Sequence, residues 1–537
     1  MNGGNKGIGA ANGAENDAGP AAVKPMDKPL PGAWFALGIL FLVYVLNFID
    51  RQIITILAPH LKADLKLNDA DIGFLYGTAF AIFYALFGIP LGRLADSWHR
   101  VRLLSIGLAL WSAMTALSGL ARNSLHLGLA RMGVGVGEAT AGPAAYSLIS
   151  DMFPKHMRGT ALAIYSAGLF FGGGVSLMIG GAIVDSWDKA NPGGGAFGLV
   201  GWQVAFLAVG FPGLLLALIV LTIREPVRGL VDGLATPASS EPFRGFLNEL
   251  VAAIPPFTLI AAAQRGMGAL ARNLGAAVLF AIGAWVLTRL TGNALQWICI
   301  AGGYYAVFSW ASALRDRDPE SFRHIWGSRA FITSVLGYTC VSFLSYSSTG
   351  FAPVYAQDVL GEAPAKVGLW VGGAGAVGGF LGVILGGRLS DFLMARNAAG
   401  RVLVIIFGLV APILPVWMAF TTTPTADDSD LLRFTICVAL ANMLGSSALG
   451  AAAATTQDLV LPRMRGTATA TFFVGTTLAG LALGPYLTGF ISARTGDLSL
   501  AVRSIYLIVP VGLALLAVAY RDVPRATARL RAEHSGE

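Results

Sequence analysis

The 537 residues carry a formal net charge of +7, with 55% hydrophobic and 12% charged side chains and a mean hydropathy of +0.66. Ordinary soluble domains hold about 25% charged residues, so a disordered chain and a multidomain soluble enzyme are both excluded. The basic surplus sits in short loops between apolar runs rather than on one soluble face, which excludes nucleic acid as a partner.

Residues 1–30 are rich in Gly and Ala without apolar periodicity, and a disordered tail is expected. No signal peptide precedes the apolar run near Trp34, so that run is expected to stay as a helix. Apolar runs of bilayer-spanning length follow at 33–58, 72–95, 102–121, 125–149, 160–184 and 201–223. After a long intervening segment come 330–356, 367–393, 402–420, 432–457, 467–493 and 502–520. The runs lack the alternation of a membrane barrel. The intervening segment holds two more apolar runs, 274–290 and 294–314, joined at Thr291-Gly292-Asn293, which read as a transmembrane hairpin. Leu250–Ala263, interrupted by Pro255-Pro256, reads as an interfacial helix. The expected division is a tail at 1–30, a six-helix bundle at 31–226, a central insert at 227–328, a second six-helix bundle at 329–522 and a short tail at 523–537.

Basic residues set the orientation. Arg93, Arg100, Lys155, Arg158, Arg388, Arg396, Arg401, Arg463 and Arg465 fall in alternate loops, and Arg521, Arg525 and Arg529 follow the last span. Both termini are therefore expected to be cytoplasmic, in a multi-pass protein of a bacterial inner membrane. The 68 glycines, about twice the usual share, suit closely packed membrane helices. Cys299, Cys340 and Cys437 lie inside apolar runs and read as small core residues.

The two halves echo each other. Gly92-Arg93-Leu94-Ala95-Asp96 recurs as Gly387-Arg388-Leu389-Ser390-Asp391, offset by 295. Arg158-Gly159-Thr160-Ala161 recurs as Arg465-Gly466-Thr467-Ala468, offset by 307, and Asp151 and Asp458 each lie seven residues earlier. Two ordered matches at equivalent membrane positions indicate duplicated bundles with a cavity between them, which is the major facilitator plan. The fold class is thus all-α and polytopic: two six-helix bundles plus the extra hairpin. Gly92, Arg93, Asp96, Arg100, Asp151, Arg158, Gly387, Asp391, Asp458 and Arg465 are the candidate conformational-gating residues.

The loop from Gly92 to Arg100 resembles the facilitator signature between helices two and three, with Ser97 and His99 departing from its usual basic residue and glycine. Asn47-Phe48-Ile49-Asp50-Arg51, the run from Arg131 to Ala139, and Arg224-Glu225-Pro226-Val227-Arg228-Gly229 further resemble the Spinster family. That resemblance implies transport of lysolipids or related amphipathic molecules. It covers both bundles but not the hairpin.

Asp50 and Arg51 in the first span, and Arg131 and Glu138 in the fourth, are charges away from span ends. Each costs about 2.5–3.5 kcal/mol at a helix centre, so all four require partners or a wet cavity. Asp50 lies about 12 Å, and Arg131 about 9 Å, below the outer ends of their spans at 1.5 Å per residue. An Asp50–Arg131 pair is therefore expected. Glu138 follows Arg131 by two turns on nearly the same face. A buried carboxylate beside a guanidinium can load and release a proton, because burial favours its neutral form and the cation its charged form. The Spinster resemblance implies the same role for Glu138, Asp50, Arg131 and Arg51, with protons as the coupling ion.

Tyr44 and Asn47 extend a polar stripe on the first span. Phe343, Tyr346, Ser347, Phe351, Trp370, Phe472 and Phe473 give the second half an aromatic character. These are the candidate cavity residues, and they suit a small amphipathic or anionic substrate. No glycine-rich phosphate loop, His-Glu-x-x-His or Cys-x-x-Cys is present, so neither an enzyme, a metal site nor a cofactor is expected. The expected function is proton-coupled secondary transport by alternating access, by a monomer in the bilayer. The alternatives are a carboxylate–proton symporter and a non-transporting receptor or scaffold.

Overall fold

The computed structural model describes residues 26–232, 241–424, 429–461 and 464–535. The expected tail at 1–30 lies largely, and Arg463 wholly, outside these. The described residues form helices and no strands.

The first half contains α1 (Ala33–Leu65), α2 (Asp69–Ser97), α3 (Arg100–Ser118), α4 (Ser124–Glu138), α5 (Ala141–Met152), α6 (Lys155–Ala190) and α7 (Gly201–Val220). The central segment contains α8 (Pro242–Ala253), α9 (Phe257–Gln264), α10 (Met267–Thr291), α11 (Ala294–Arg317) and α12 (Pro319–Ile325). The second half contains α13 (Arg329–Asp358), α14 (Pro364–Arg396), α15 (Gly400–Ala419), α16 (Ser429–Asp458) and α17 (Arg465–Thr495). It ends with α18, which enters at Leu498–Ser504 and runs on through Val509–Ser535.

Thirteen of these helices are long and apolar enough to cross a membrane. The expected fourth span, 125–149, is not among them. It is divided into α4 and α5 at Ala139-Thr140, immediately after Glu138. The break leaves two helices of 15 and 12 residues, each too short to cross a membrane alone. α8 and α9 bend through 103° instead of forming the single interfacial helix expected over Leu250–Ala263. The expected tail at 523–537 begins inside α18, which continues to Ser535.

Capping fixes several helix ends. α1 stops at Lys66, whose φ of 54° is left-handed. Asn68 then starts α2 with a capping box, its side chain accepting from Asp71 N while the Asp71 carboxylate accepts from Asn68 N.

The halves meet mainly at the end away from the basic loops. There α2 lies on α17 and α6 lies on α14, backbone to backbone. A Cβ added at Gly77 would sit 2.5 Å from Leu481 O, and one at Gly174 would sit 2.6 Å from Ala376 Cβ. Only glycine permits such an approach. Hydrogen bonds stitch the same level: Thr78 Oγ1 donates to Ala482 O at 2.8 Å, and Gln357 Nε2 donates to Ile56 O at 2.9 Å. Lys62 bridges Asp69 of α2 at 2.9 Å and Asp358 of α13 at 2.5 Å, and Ser492 donates to Asp69 at 2.6 Å. The large apolar core of the first half accordingly extends into the second half through Phe351, Leu478 and Tyr486.

The central hairpin lies across the α2–α17 seam. At Gly303, α11 abuts both helices: an added Cβ would be 2.8 Å from Ile82 and 3.5 Å from Leu478. Trp297 packs edge-on against Tyr486 at 5.6 Å, and Asn293 Nδ2 donates to Tyr486 Oη at 3.1 Å. At the other end of the insert, Phe243 of α8 packs on Trp98 at 5.3 Å, and Ser97 donates to Pro242 O at 3.3 Å.

Candidate functional site: a buried charge cluster in the first half

α1 and the α4–α5 break bring the four expected charges together. Arg51 Nη2 lies 2.7 Å from Glu138 Oε2, and both side chains are buried. The Arg51 guanidinium is also walled by the rings of Phe48, Phe80 and Tyr84, at 4.7, 4.5 and 5.2 Å from their centroids. Such faces hold a cation even when its carboxylate is neutralised. α2 supplies two of these rings at one-turn spacing, which is why Phe80 and Tyr84 act as a pair.

Arg131 departs from the sequence expectation. Its Nη1 donates to the backbone carbonyl of Asp50 at 2.9 Å, and its Nη2 approaches Arg51 O at 3.4 Å. No ion pair joins Arg131 to the Asp50 carboxylate within 4 Å. Instead the Asp50 side chain is directed toward α3, where Trp111 and Thr115 face it. Both Asp50 carboxylate oxygens, Glu138 Oε1, Trp111 Nε1 and Thr115 Oγ1 are buried and make no hydrogen bond of good geometry, although Trp111 and Thr115 are near enough to the Asp50 carboxylate to act on it. The geometric reason is the α-helix itself. Asp50 and Arg51 are successive residues, about 100° apart around the axis, so one faces α3 while the other faces α2 and α4.

The candidate cavity residues divide. Tyr44 is half-buried and stacks on Tyr165 at 4.3 Å; Asn47 is buried beside Glu138. Tyr346 is half-buried and faces Arg51 and Tyr76 from the second half. Phe343, Ser347, Phe351 and Phe472 are buried in helix packing rather than lining a cavity. Ser347 donates to Phe343 O at 2.7 Å, where α13 meets Gly484 of α17, and Phe472 stacks on Tyr338 at 5.3 Å. Trp370 and Phe473 are exposed. Sequence reasoning missed Gln52, which accepts from Tyr76 Oη at 2.7 Å, and the Thr349–Asn442 hydrogen bond of 3.0 Å in the second half. The helical spacing of Gln52 relative to Phe48 was the available signal.

The gating candidates assemble into two unequal clusters. In the first half Arg100 is fully buried, with Nε donating to Glu225 at 2.7 Å, Nη1 to Asp151 and to Ser147 Oγ at 2.9 Å, and Nη2 to Pro226 O at 2.8 Å. Asp151 thus pairs with Arg100 rather than with Arg158, which binds Asp232 at 2.9 Å. Arg228 donates to Ala95 O and Trp98 O at 2.7 and 2.6 Å, locking the segment after α7 onto the Gly92–Arg100 loop. In the second half Arg401 pairs with Asp458 and lies 3.9 Å from Asp391; among the described residues no ion pair of Arg465 is found within 4 Å. Asp96 is exposed, and the cations acting on it, Arg228, Arg93 and Arg100, all belong to its own half. Arg93 is exposed, Gly92 lies 3.8 Å from Pro143 by its added Cβ, and Gly387 has open space around it.

Two helical bundles joined by backbone contacts at one end, with a buried ion pair halfway along, is a transporter architecture, and the family model for the Major Facilitator Superfamily matches residues 40–425 and 334–536. The chain belongs to the Major Facilitator Superfamily. Its similarity runs end to end with an MFS-type efflux pump of Mycolicibacterium smegmatis, 28% identical over 91% of this chain and 92% of that protein. Protein spinster of Drosophila melanogaster is 24% identical over 88% of this chain and 64% of its own length. Among solved structures, a bacterial homolog of the human lysosomal transporter Spinster, in an inward-facing and unoccupied conformation, superposes with a TM-score of 0.67. That match has 25% identity and covers 93% of this chain and 98% of the other. The Spinster resemblance read from the Asn47–Arg51 and Arg131–Ala139 segments therefore extends over the whole fold, and family and fold are those of transporters rather than enzymes.

Proposed function

We propose that this facilitator is a proton-coupled secondary transporter of an amphipathic molecule with an anionic head, working by alternating access. The observation that carries the reading is the 2.7 Å Arg51–Glu138 pair, buried halfway along α1 and at the break in the fourth span. Protonating Glu138 removes the charge that holds Arg51. The rings of Phe48, Phe80 and Tyr84 keep the guanidinium in place, and it becomes free to meet an anionic group facing Tyr346. Proton and anion then favour the same state, which is a coupling free energy between two sites. The apolar, aromatic surroundings suit the remainder of an amphipathic substrate.

In this reading the basic loops, and with them both termini, face the cytoplasm of a bacterial inner membrane, and the protein works as a monomer. The Lys62–Asp69–Asp358 bridge then closes the outer side, and the exposed Asp96 marks an inward-facing state. The test is proton flux into proteoliposomes with a pH-sensitive dye inside. Addition of lysophosphatidylglycerol is expected to drive flux in the wild type and not in Glu138→Gln. Flux with a short dicarboxylate alone would favour a carboxylate–proton symporter. Absence of flux with either probe would count against coupled transport.

A further inference from the structure

We infer that the α10–α11 hairpin holds one anionic phospholipid of the bilayer, with an acyl chain in the groove between its helices and the headgroup at Arg289 and Arg494. The groove has a volume of about 450 Å³ and is lined by small residues such as Ala281, Ala301 and Gly302, with Trp285 and Tyr305 at its two ends. Small side chains along both helices leave the concavity that larger ones would fill. α10 packs mainly along α9 and α11 within the fold, and its apolar residues, Leu279 and Ile282 among them, are exposed on a helix of membrane-spanning length. The groove is therefore a lipid-facing surface.

Its position matches one leaflet. From Ala277 to Thr288 the lining of α10 spans about 16 Å at 1.5 Å per residue. Half of a typical hydrocarbon core is about 15 Å. The groove starts near the middle of α10 and ends one residue before Arg289, close to the turn at Gly292.

Its charge selects the headgroup. Arg289 lies over the Trp285 ring at 5.6 Å, and Arg494 Nη2 reaches Leu290 O at 3.4 Å. Neither guanidinium makes an ion pair among the described residues. Two unpaired cations beside an aromatic ring at the end of an apolar groove match the phosphate of a lipid whose chain lies in it. At the opposite end Arg272 and Arg317 of the hairpin, and Arg265 just before it, are paired with Asp316 or Glu249, and Arg315 is exposed.

The experiment is native mass spectrometry of the full chain released from nanodiscs of equimolar palmitoyl-oleoyl phosphatidylglycerol and phosphatidylcholine. Wild-type protein is expected to retain one phosphatidylglycerol through activation that strips other lipids. Ala281→Phe, which fills the groove, and Arg289→Gln with Arg494→Gln, which removes the charge and leaves the groove open, are each expected to lower that retention at least fivefold. The double Arg variant should also lose the preference over phosphatidylcholine. Equal retention in the wild type and the Arg variant would overturn the proposal. So would a wild-type dimer that dissociates on Ala281→Phe, since a second copy would then cover this face.

Discussion

Arg51 and Glu138 illustrate how two charges survive at membrane depth. Each pairs with the other, and aromatic rings take the remaining face of the cation. Removing one partner of such a pair leaves the other uncompensated, typically at about 3–5 kcal/mol. Arg51→Met should therefore lower the thermal midpoint in detergent clearly. Arg51→Met combined with Glu138→Gln should recover much of that loss, because no buried charge remains; a strictly additive double variant would show that the pair is not coupled. The presence of intramembrane charges was legible from Asp50, Arg51, Arg131 and Glu138 alone. Their pairing was not, because depth along a helix is set by residue number while partner choice depends on azimuth and rotamer. Arg131 consequently meets the Asp50 carbonyl, and Asp50→Asn is expected to act through Trp111 and Thr115 rather than by releasing Arg131. Asp50→Asn should leave the Arg51–Glu138 bond intact and so cost less stability than Arg51→Met in the same melting assay.

Three of the helices that touch across the halves carry a local departure from α geometry, whereas α6, which lies on α14, does not. α2 carries a π-helical turn at Phe74–Thr78, α14 one at Gly368–Gly372 and α17 one at Thr476–Leu481. The first two are offset by 294 residues, nearly the 295 that separates the Gly92 and Gly387 motifs, so the duplication reaches below the level of sequence identity. Such turns often mark functional positions in helices, and here they lie where backbones meet. Gly77→Val would place a side chain 2.5 Å from Leu481 O or closer. It should push α2 and α17 apart and raise outer-end accessibility, read as longer distances between spin labels there; unchanged distances would show that the seam is compliant. The helices and the internal repeat could be read from apolar runs and matched motifs. The seam-crossing position of the hairpin could not, because it depends on Gly303, Asn293 and Trp297 meeting residues far away in the chain. A cysteine at the exposed Ala294 should react with an impermeant thiol reagent from outside intact cells. Reaction only after permeabilisation would place the hairpin turn on the other side.

At the scale of the molecule, one end is latched and the other is not. Lys62 joins Asp69 and Asp358 across the halves, whereas the gating candidates Asp96 and Arg465 at the opposite end make no ion pair with each other. Alternating access requires these two conditions to exchange, and a proton can drive the exchange only by binding the two states unequally. Lys62→Met should weaken the outer latch and populate an outward-open state, while Asp96→Asn should favour the inward-facing one; the two changes should shift spin-label distances in opposite directions. The most direct measurement is the label-to-label distance across the basic end, from cysteines at Arg93 and Arg388, in proteoliposomes at pH 8 and pH 5. The account predicts a pH-dependent change in the distance distribution in the wild type and none in Glu138→Gln. A pH-independent wild type, or the same shift retained in Glu138→Gln, would contradict it.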